Sequence, residues 1–147
     1  MNTSLLTELK SGITTNSPEE TNTFAKILAE ALPENSTLAL RGDLGAGKTT
    51  LVKALAASWG ITETVSSPTY NIVLSYTGRT RNLVHMDAYR LEDASQFDEL
   101  MLEDFIQAPW CLAVEWPESV IDRLPDPIYR LDLEPISENS RRFTLMD

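Results

Sequence analysis

Cysteine is almost absent. Only Cys111 carries a thiol among 147 residues, so no disulfide can close within the chain and no zinc site needing two or more cysteines can form. A reducing compartment fits that usage. Basic residues are also scarce, 12 Lys plus Arg against 22 Asp plus Glu, for a formal net charge of −10. A surface of that sign does not grip a nucleic-acid backbone unaided. No apolar run approaches the roughly 20 residues of a membrane helix. Met1 to Ile13 carry acidic and polar groups where a signal peptide would be apolar, so a cytoplasmic protein is expected. Glycine is sparse too, six in all, yet Gly42, Gly45 and Gly47 fall within six residues. The remainder, 42% apolar and 23% charged, has the composition of an ordinary folded chain, and its length favours one domain over residues 1–147.

Periodicity divides the chain into alternating segments. Residues 1–16 show no clean period, and Ile13-Thr14-Thr15 reads as a short edge strand ahead of the first helix. Ser17-Pro18-Glu19-Glu20 has the form of a helix start, with a serine cap, proline at the first helical position and a glutamate to complete a capping box. Phe24, Ile27, Leu28, Ala31 and Leu32 follow at helical spacing until Pro33. Thr37–Leu40 and Trp110–Val114 are continuous apolar runs, the pattern of strands covered on both faces. Residues 70–76 and 82–86 are β-prone around the turn Thr77-Gly78-Arg79-Thr80 and predict a hairpin, as do 128–133 and 143–146 around Ser137-Glu138-Asn139-Ser140. A helix is expected over Asp93 to Leu102, with Ala94, Phe97, Leu100 and Met101 on its packed side. With no repeat or linker, these elements belong to one mixed sheet.

The glycine cluster is the strongest chemical signal. Gly42-Asp43-Leu44-Gly45-Ala46-Gly47-Lys48-Thr49 matches Gly, four residues, Gly, Lys, Ser/Thr without a mismatch. At average residue frequencies a chance match in a chain of this length is on the order of 0.5%. It also stands between an apolar strand and an amphipathic helix, where glycines let successive N–H groups turn toward phosphate oxygens and the helix adds its positive end. In such a loop Lys48 reaches the β and γ phosphates and the Thr49 hydroxyl meets magnesium. Leu112-Ala113-Val114-Glu115 delivers a carboxylate to a strand end, where a second magnesium-directed acid sits in this kind of fold; a water-facing acid is the plainer reading. The Asn-Lys-x-Asp signature of many GTPases is missing, since none of Lys10, Lys26, Lys48 and Lys53 follows an asparagine, so ATP is the expected nucleotide. A small-molecule kinase shares the loop but needs an arginine-bearing lid, and residues 70–110 hold only Arg79, Arg81 and Arg90. A nucleotide-gated binding module is the other alternative.

The phosphate loop through Thr50, Ser67-Pro68-Thr69-Tyr70, His85-x-Asp87-x-Tyr89-Arg90 and Glu115-Trp116-Pro117-Glu118, in that order, resemble the TsaE (formerly YjeE) family, bacterial ATPases required for threonylcarbamoyladenosine in tRNA. The resemblance implies an α/β, three-layer phosphate-loop NTPase fold, its mixed parallel and antiparallel sheet flanked by helices on both faces. It implies that Asp43, Leu44, Gly45, Ala46, Gly47, Lys48, Thr49 and Thr50 hold the ATP phosphates, and that Thr49 and Glu115 hold Mg2+. Lys48, Asp87 and Glu115 are the implied catalytic residues, with Asp87 helping to hold magnesium or orient water. Ser67-Pro68-Thr69 matches a nucleotide-dependent switch within a loop over residues 61–69. Arg141 matches an arginine of the last strand that contacts either the nucleotide or nothing, and Arg142 reads as solvated. His85, the sole histidine, is either structural or catalytic, and Tyr89 and Arg90 serve either the site or the next helix. Trp116 lies near the site, while Trp59 and Trp110 read as packing. The implied partners are TsaD and TsaB, with tRNA reached through that complex and neither membrane nor DNA engaged.

Overall fold

Strands without polar alternation require cover on both faces, and the two strongest apolar runs lie in the middle of the sheet. The computed structural model describes residues 1–43, 45–66 and 72–147. Its strands are β1 (Ile13–Thr15), β2 (Ser36–Arg41), β3 (Val73–Tyr76), β4 (Asn82–Asp87), β5 (Trp110–Glu115), β6 (Ile128–Pro135) and β7 (Arg141–Met146). They form one sheet in the order β1-β7-β6-β2-β5-β4-β3. The inner strands β6, β2, β5 and β4 run parallel, while β7 and β1 on one side and β3 on the other add antiparallel edges. This is the mixed α/β architecture expected from the sequence.

Side-chain alternation along these strands separates two cores. Leu38, Leu40, Leu83, Cys111, Ala113 and Leu131 pack with α2 (Pro18–Ala31) and α3 (Lys48–Ser58), chiefly through Phe24, Leu28, Leu51 and Leu55. Ala39, Val84, Met86, Leu112 and Val114 face the other way, onto α4 (Ala94–Glu99) and the 3-10 turns after it, through Phe97, Leu102, Val120 and Leu124. Helices therefore cover both faces, thickly on one side and thinly on the other. The Trp59 indole donates to the Ala29 carbonyl at 3.2 Å and ties the end of α3 to α2, so this tryptophan is packing, as expected.

Three local readings change. Residues 3–11 form a helix, α1 (Thr3–Ser11), that periodicity did not reveal. Only Leu9 of it is fully buried, with Leu5 and Leu6 half-buried against the same core. Docking supplies the rest: Asn2 accepts from Ser4 N at 2.8 Å, and the Arg142 guanidinium donates to the Ser11 carbonyl at 2.7 Å. Arg142, half-buried, thus braces this helix while its charge stays in contact with solvent. The expected helix over residues 93–102 ends at Glu99. Met101 takes a left-handed conformation (φ 54°), which turns Leu102 into the core within a 3-10 turn and leaves Met101 53% exposed. The first strand of the β3–β4 hairpin begins at Val73, and Tyr70 and Asn71 lie outside the described residues.

The α2 cap forms as the sequence indicates, with Ser17 Oγ accepting from Glu20 N at 3.1 Å. Ser17→Ala is expected to cost about 1 kcal/mol. Phe143→Ala, which removes a buried ring stacked on Phe24 at 4.5 Å, is expected to cost about 3–5 kcal/mol; urea unfolding measures both. Burial pushes the Cys111 thiol up to about 12 from 9.0. The unfolded thiol therefore ionises at a pH where the native one does not, so this group lowers stability as pH rises through that window. Native protein at pH 8 is expected to resist a thiol-modifying reagent that labels urea-unfolded protein fully.

Candidate phosphate-binding site

Parallel pairing brings the carboxyl ends of three strands together. Leu40 of β2 stands opposite Glu115 of β5, and Glu115 stands opposite Asp87 of β4. The chain leaves β2 through Gly42 into the glycine loop and enters α3 at Lys48. Gly42 has no room for a larger residue, because a Cβ there would lie 2.7 Å from the Leu133 carbonyl. Gly47 takes φ +99° as the N-cap of α3, a conformation that other residues resist. The two main helix starts differ in kind. Where α2 has a serine cap and two glutamates in its first turn, α3 has no side-chain cap bond and no acid in its first turn. Its first amide donors and its positive end are left for a ligand.

An open cleft of about 630 Å3 lies at this junction, lined by Gly45, Gly47, Lys48, Thr49, Thr50, Asp87, Tyr89, Glu115, Trp116 and Arg141. Of the residues singled out from sequence, the cleft gathers all of these but Tyr89 and Trp116 as proposed phosphate, metal or catalytic groups. Asp43 is exposed on an adjoining rim. Ala46 is fully buried and its N–H donates to Asp43 O at 2.9 Å, so its side chain seats the loop rather than facing the cleft. Leu44 and the Ser67-Pro68-Thr69 switch lie outside the described residues. A second cleft, of about 350 Å3 around Arg41, Arg130 and Asp132, has no glycine loop behind it, and Arg41 is already paired with Asp132 at 3.1 Å.

Charges inside the cleft are closely matched. Lys48, 5% exposed, donates from Nζ to the Gly42 carbonyl at 2.5 Å and lies 3.6 Å from the centre of the Trp116 ring. Burial holds its amine below the usual lysine range, and the carboxylates of Glu115, Asp87, Glu118 and Asp43 oppose that shift. Thr49 Oγ1 donates to Glu115 at 3.2 Å (Oε2) and 3.4 Å (Oε1), and His85 Nε2 lies 2.5 Å from the same Oε2. Asp87 accepts from Tyr89 N at 3.0 Å. Arg141 lies beside the loop, its Nε 3.5 Å from where a Gly47 Cβ would stand, and its Nη1 donates to the carbonyls of Ser137, Glu138 and Ser140. Hard oxygen donors from Thr49 and Glu115 suit a magnesium ion completed by phosphate and water. Among the described residues no group of three or more His, Cys, Asp or Glu would hold a metal on its own.

Sequence reasoning left Tyr89 and His85 undecided. Tyr89 is 71% exposed at the cleft rim, its ring 5.3 Å from Trp116 in an edge-on contact. His85 is fully buried beneath Glu115. Its two-residue spacing from Asp87 on one strand was the available signal, since it puts both on the same face.

Trp59 and Trp110 both lie far from Trp116. Trp110 starts β5, roughly 16 Å along the strand from Glu115, and Trp59 follows α3, roughly 16 Å from Lys48 along its axis. Inorganic triphosphate that draws Lys48 off the Trp116 ring is therefore expected to change tryptophan emission in the native protein and leave Trp116→Phe unchanged. An equal response in both would place the responding ring elsewhere.

Comparison with known proteins gives one consistent answer. A family model described as threonylcarbamoyl adenosine biosynthesis protein TsaE matches residues 15–143. The chain is 37% identical over 127 residues to tRNA threonylcarbamoyladenosine biosynthesis protein TsaE of Bacillus subtilis, covering 86% of this chain and 79% of that protein. Its identity to the protein of the same name in Treponema pallidum is 33% over 129 residues, covering 88% and 95%. The crystal structure of YdiB from Bacillus subtilis superposes with a TM-score of 0.73 at 31% identity, covering 91% of this chain and 82% of that one. On these likenesses and the motifs gathered at its cleft, the chain belongs to the TsaE family.

Proposed function

We propose that this chain is an ATP-binding and hydrolysing protein of the cytoplasm that serves the threonylcarbamoylation of adenosine in tRNA, acting with TsaB and TsaD. Its membership of the family supports the pathway. One observation carries the nucleotide reading: an uncapped helix start behind a glycine loop opens on the same cleft as a buried lysine and a Thr49–Glu115 pair. No helix among the described residues is long and apolar enough to cross a membrane.

In this reading the loop amides over residues 43–50 hold the phosphates, and Lys48 exchanges the Gly42 carbonyl and the Trp116 ring for the β and γ oxygens. Arg141, braced by three carbonyls, approaches the phosphates from the side of Gly47. Thr49 and Glu115 hold Mg2+, which when bound neutralises phosphate charge and orients the terminal phosphoryl group. Asp87, at the adjacent strand end, helps to hold the ion or orients the attacking water. A phosphate-loop protein lacking a partner-supplied catalytic group turns over slowly, so hydrolysis is expected to be faster with TsaB and TsaD. The nucleotide state sets the docking or the reset of that assembly. The protein reaches tRNA through the complex, which its charge of −10 favours over direct contact.

Nucleotide affinity and hydrolysis measured with TsaB and TsaD present test the reading. Lys48→Ala removes a charge-assisted contact and is expected to weaken ATP binding about 10–100-fold. Glu115→Ala is expected to keep binding and lose magnesium-dependent hydrolysis, and unchanged turnover would take Glu115 out of the metal site. Affinity for the two partners is expected to differ between ATP, ADP and no nucleotide, and equal affinities would remove the gating role.

A further inference from the structure

The imidazole of His85 is fully buried and contacts Glu115, the carboxylate paired with Thr49 at the proposed cation site, yet nothing in the proposed chemistry uses it. On β4 it stands opposite Ala113 of β5, and Glu115 is two residues farther along β5 on the same face. The small Ala113 side chain lets the ring lean along the strand to its diagonal neighbour. There Nε2 meets Oε2 of Glu115 at 2.5 Å, while Oε1 has only the Thr49 hydroxyl, 3.4 Å away, among the described residues. Nδ1 is buried with no partner among those residues, so the ring proton belongs on Nε2, where it is donated to the carboxylate. A leucine would fill this apolar layer without an unpaired nitrogen. Packing alone therefore does not account for a histidine here.

We propose that His85 is a positioning residue for the divalent-cation site, its Nε2–H anchoring Oε2 of Glu115 so that Oε1 and the Thr49 hydroxyl are presented together to the ion. The inference rests on the nucleotide-and-magnesium reading and adds the group that fixes its flexible ligand. Groups behind a metal ligand set its orientation, and their loss typically lowers metal affinity about 10–100-fold.

The test compares His85→Gln, His85→Asn and His85→Leu with the native chain, reading the affinity of a non-hydrolysable ATP analogue by calorimetry in EDTA and across a magnesium titration. The glutamine amide nitrogen is as many bonds from Cα as Nε2, whereas that of asparagine stops one bond short. In EDTA all variants are expected to bind the analogue like the native chain. With magnesium, His85→Gln is expected to match the native half-saturating concentration, and His85→Asn and His85→Leu to need about 10–100-fold more. If the Asn and Leu variants need no more magnesium than the native chain, the inference falls while the nucleotide reading stands. If the native chain does not bind the analogue, or Glu115→Ala keeps the native magnesium dependence, the underlying reading fails instead and takes the inference with it. The native protein gives a check that no unfolded variant can spoil, because His85 is its sole histidine and gives a single set of imidazole nitrogen resonances. The expected result is an Nε2–H tautomer whose Nε2 signal moves when magnesium joins the bound analogue. An Nδ1–H tautomer, or a signal indifferent to magnesium, overturns the proposal.

Discussion

A lysine ammonium that is 5% exposed has lost most of its hydration and must recover it from fixed groups, and around Lys48 those groups come from distant parts of the chain. The Gly42 carbonyl comes from the end of β2, the Trp116 ring from the residue after β5, and opposing carboxylates from Asp87, Glu115 and Glu118. They meet only if β2, β5 and β4 end at the same level, which is what the parallel register Leu40, Glu115, Asp87 achieves. Strands in that position are covered on both faces, so the continuous apolar runs of β2 and β5 are the sequence cost of the site as much as of the fold.

A chain of charge −10 is a poor long-range attractor of a polyphosphate, yet that charge does not decide the local outcome. Salt screens exposed charges beyond about 10 Å at 0.1 M ionic strength, whereas donors inside a cleft act at contact distance. The first turn of α3 reads Lys48-Thr49-Thr50, without an acid, in a chain whose other long helix carries Glu19 and Glu20 there. That contrast is local electrostatic specialisation against an acidic background. Glu115 and Asp87 stand at the adjacent ends of β5 and β4 rather than in the loop, so the acids and the amide donors occupy separate walls of the cleft.

What could be read in advance divides along physical lines. The phosphate loop, the Ser17 cap and the inner strands were legible because each is fixed by local chemistry: glycine φ angles, a side-chain oxygen, an unbroken apolar run. The α1 helix was not, because its stability comes from Leu9 in a core built by other elements and from Arg142, which is 131 residues away in sequence. The overlong helix after Asp93 fails for a related reason. Its periodic apolar residues mark what is buried, but the left-handed Met101 that redirects Leu102 has no glycine or asparagine to announce it. In the site, the loop motif named Lys48 and Thr49 and the strand-end position named Glu115, whereas the His85–Glu115 contact depends on cross-strand register and on the smallness of Ala113, and neither can be read along a single strand.

Trp116 shows how the local fold holds the wall of the cleft beside Lys48. It leaves β5 in a left-handed conformation (φ 56°), which costs a non-glycine residue about 1–3 kcal/mol and persists only where surroundings over-determine it. Buried Pro117, which opens the next turn, the Tyr89 ring and the Lys48 ammonium are those surroundings. The Lys48 ammonium over the ring face is worth about 0.5–2 kcal/mol and the edge-on Tyr89 contact about 0.5–1.5 kcal/mol, which together are of the size of the backbone cost. Lys48 thus rests against a ring whose backbone is strained, with the exposed Tyr89 edge-on to the same ring at the cleft rim.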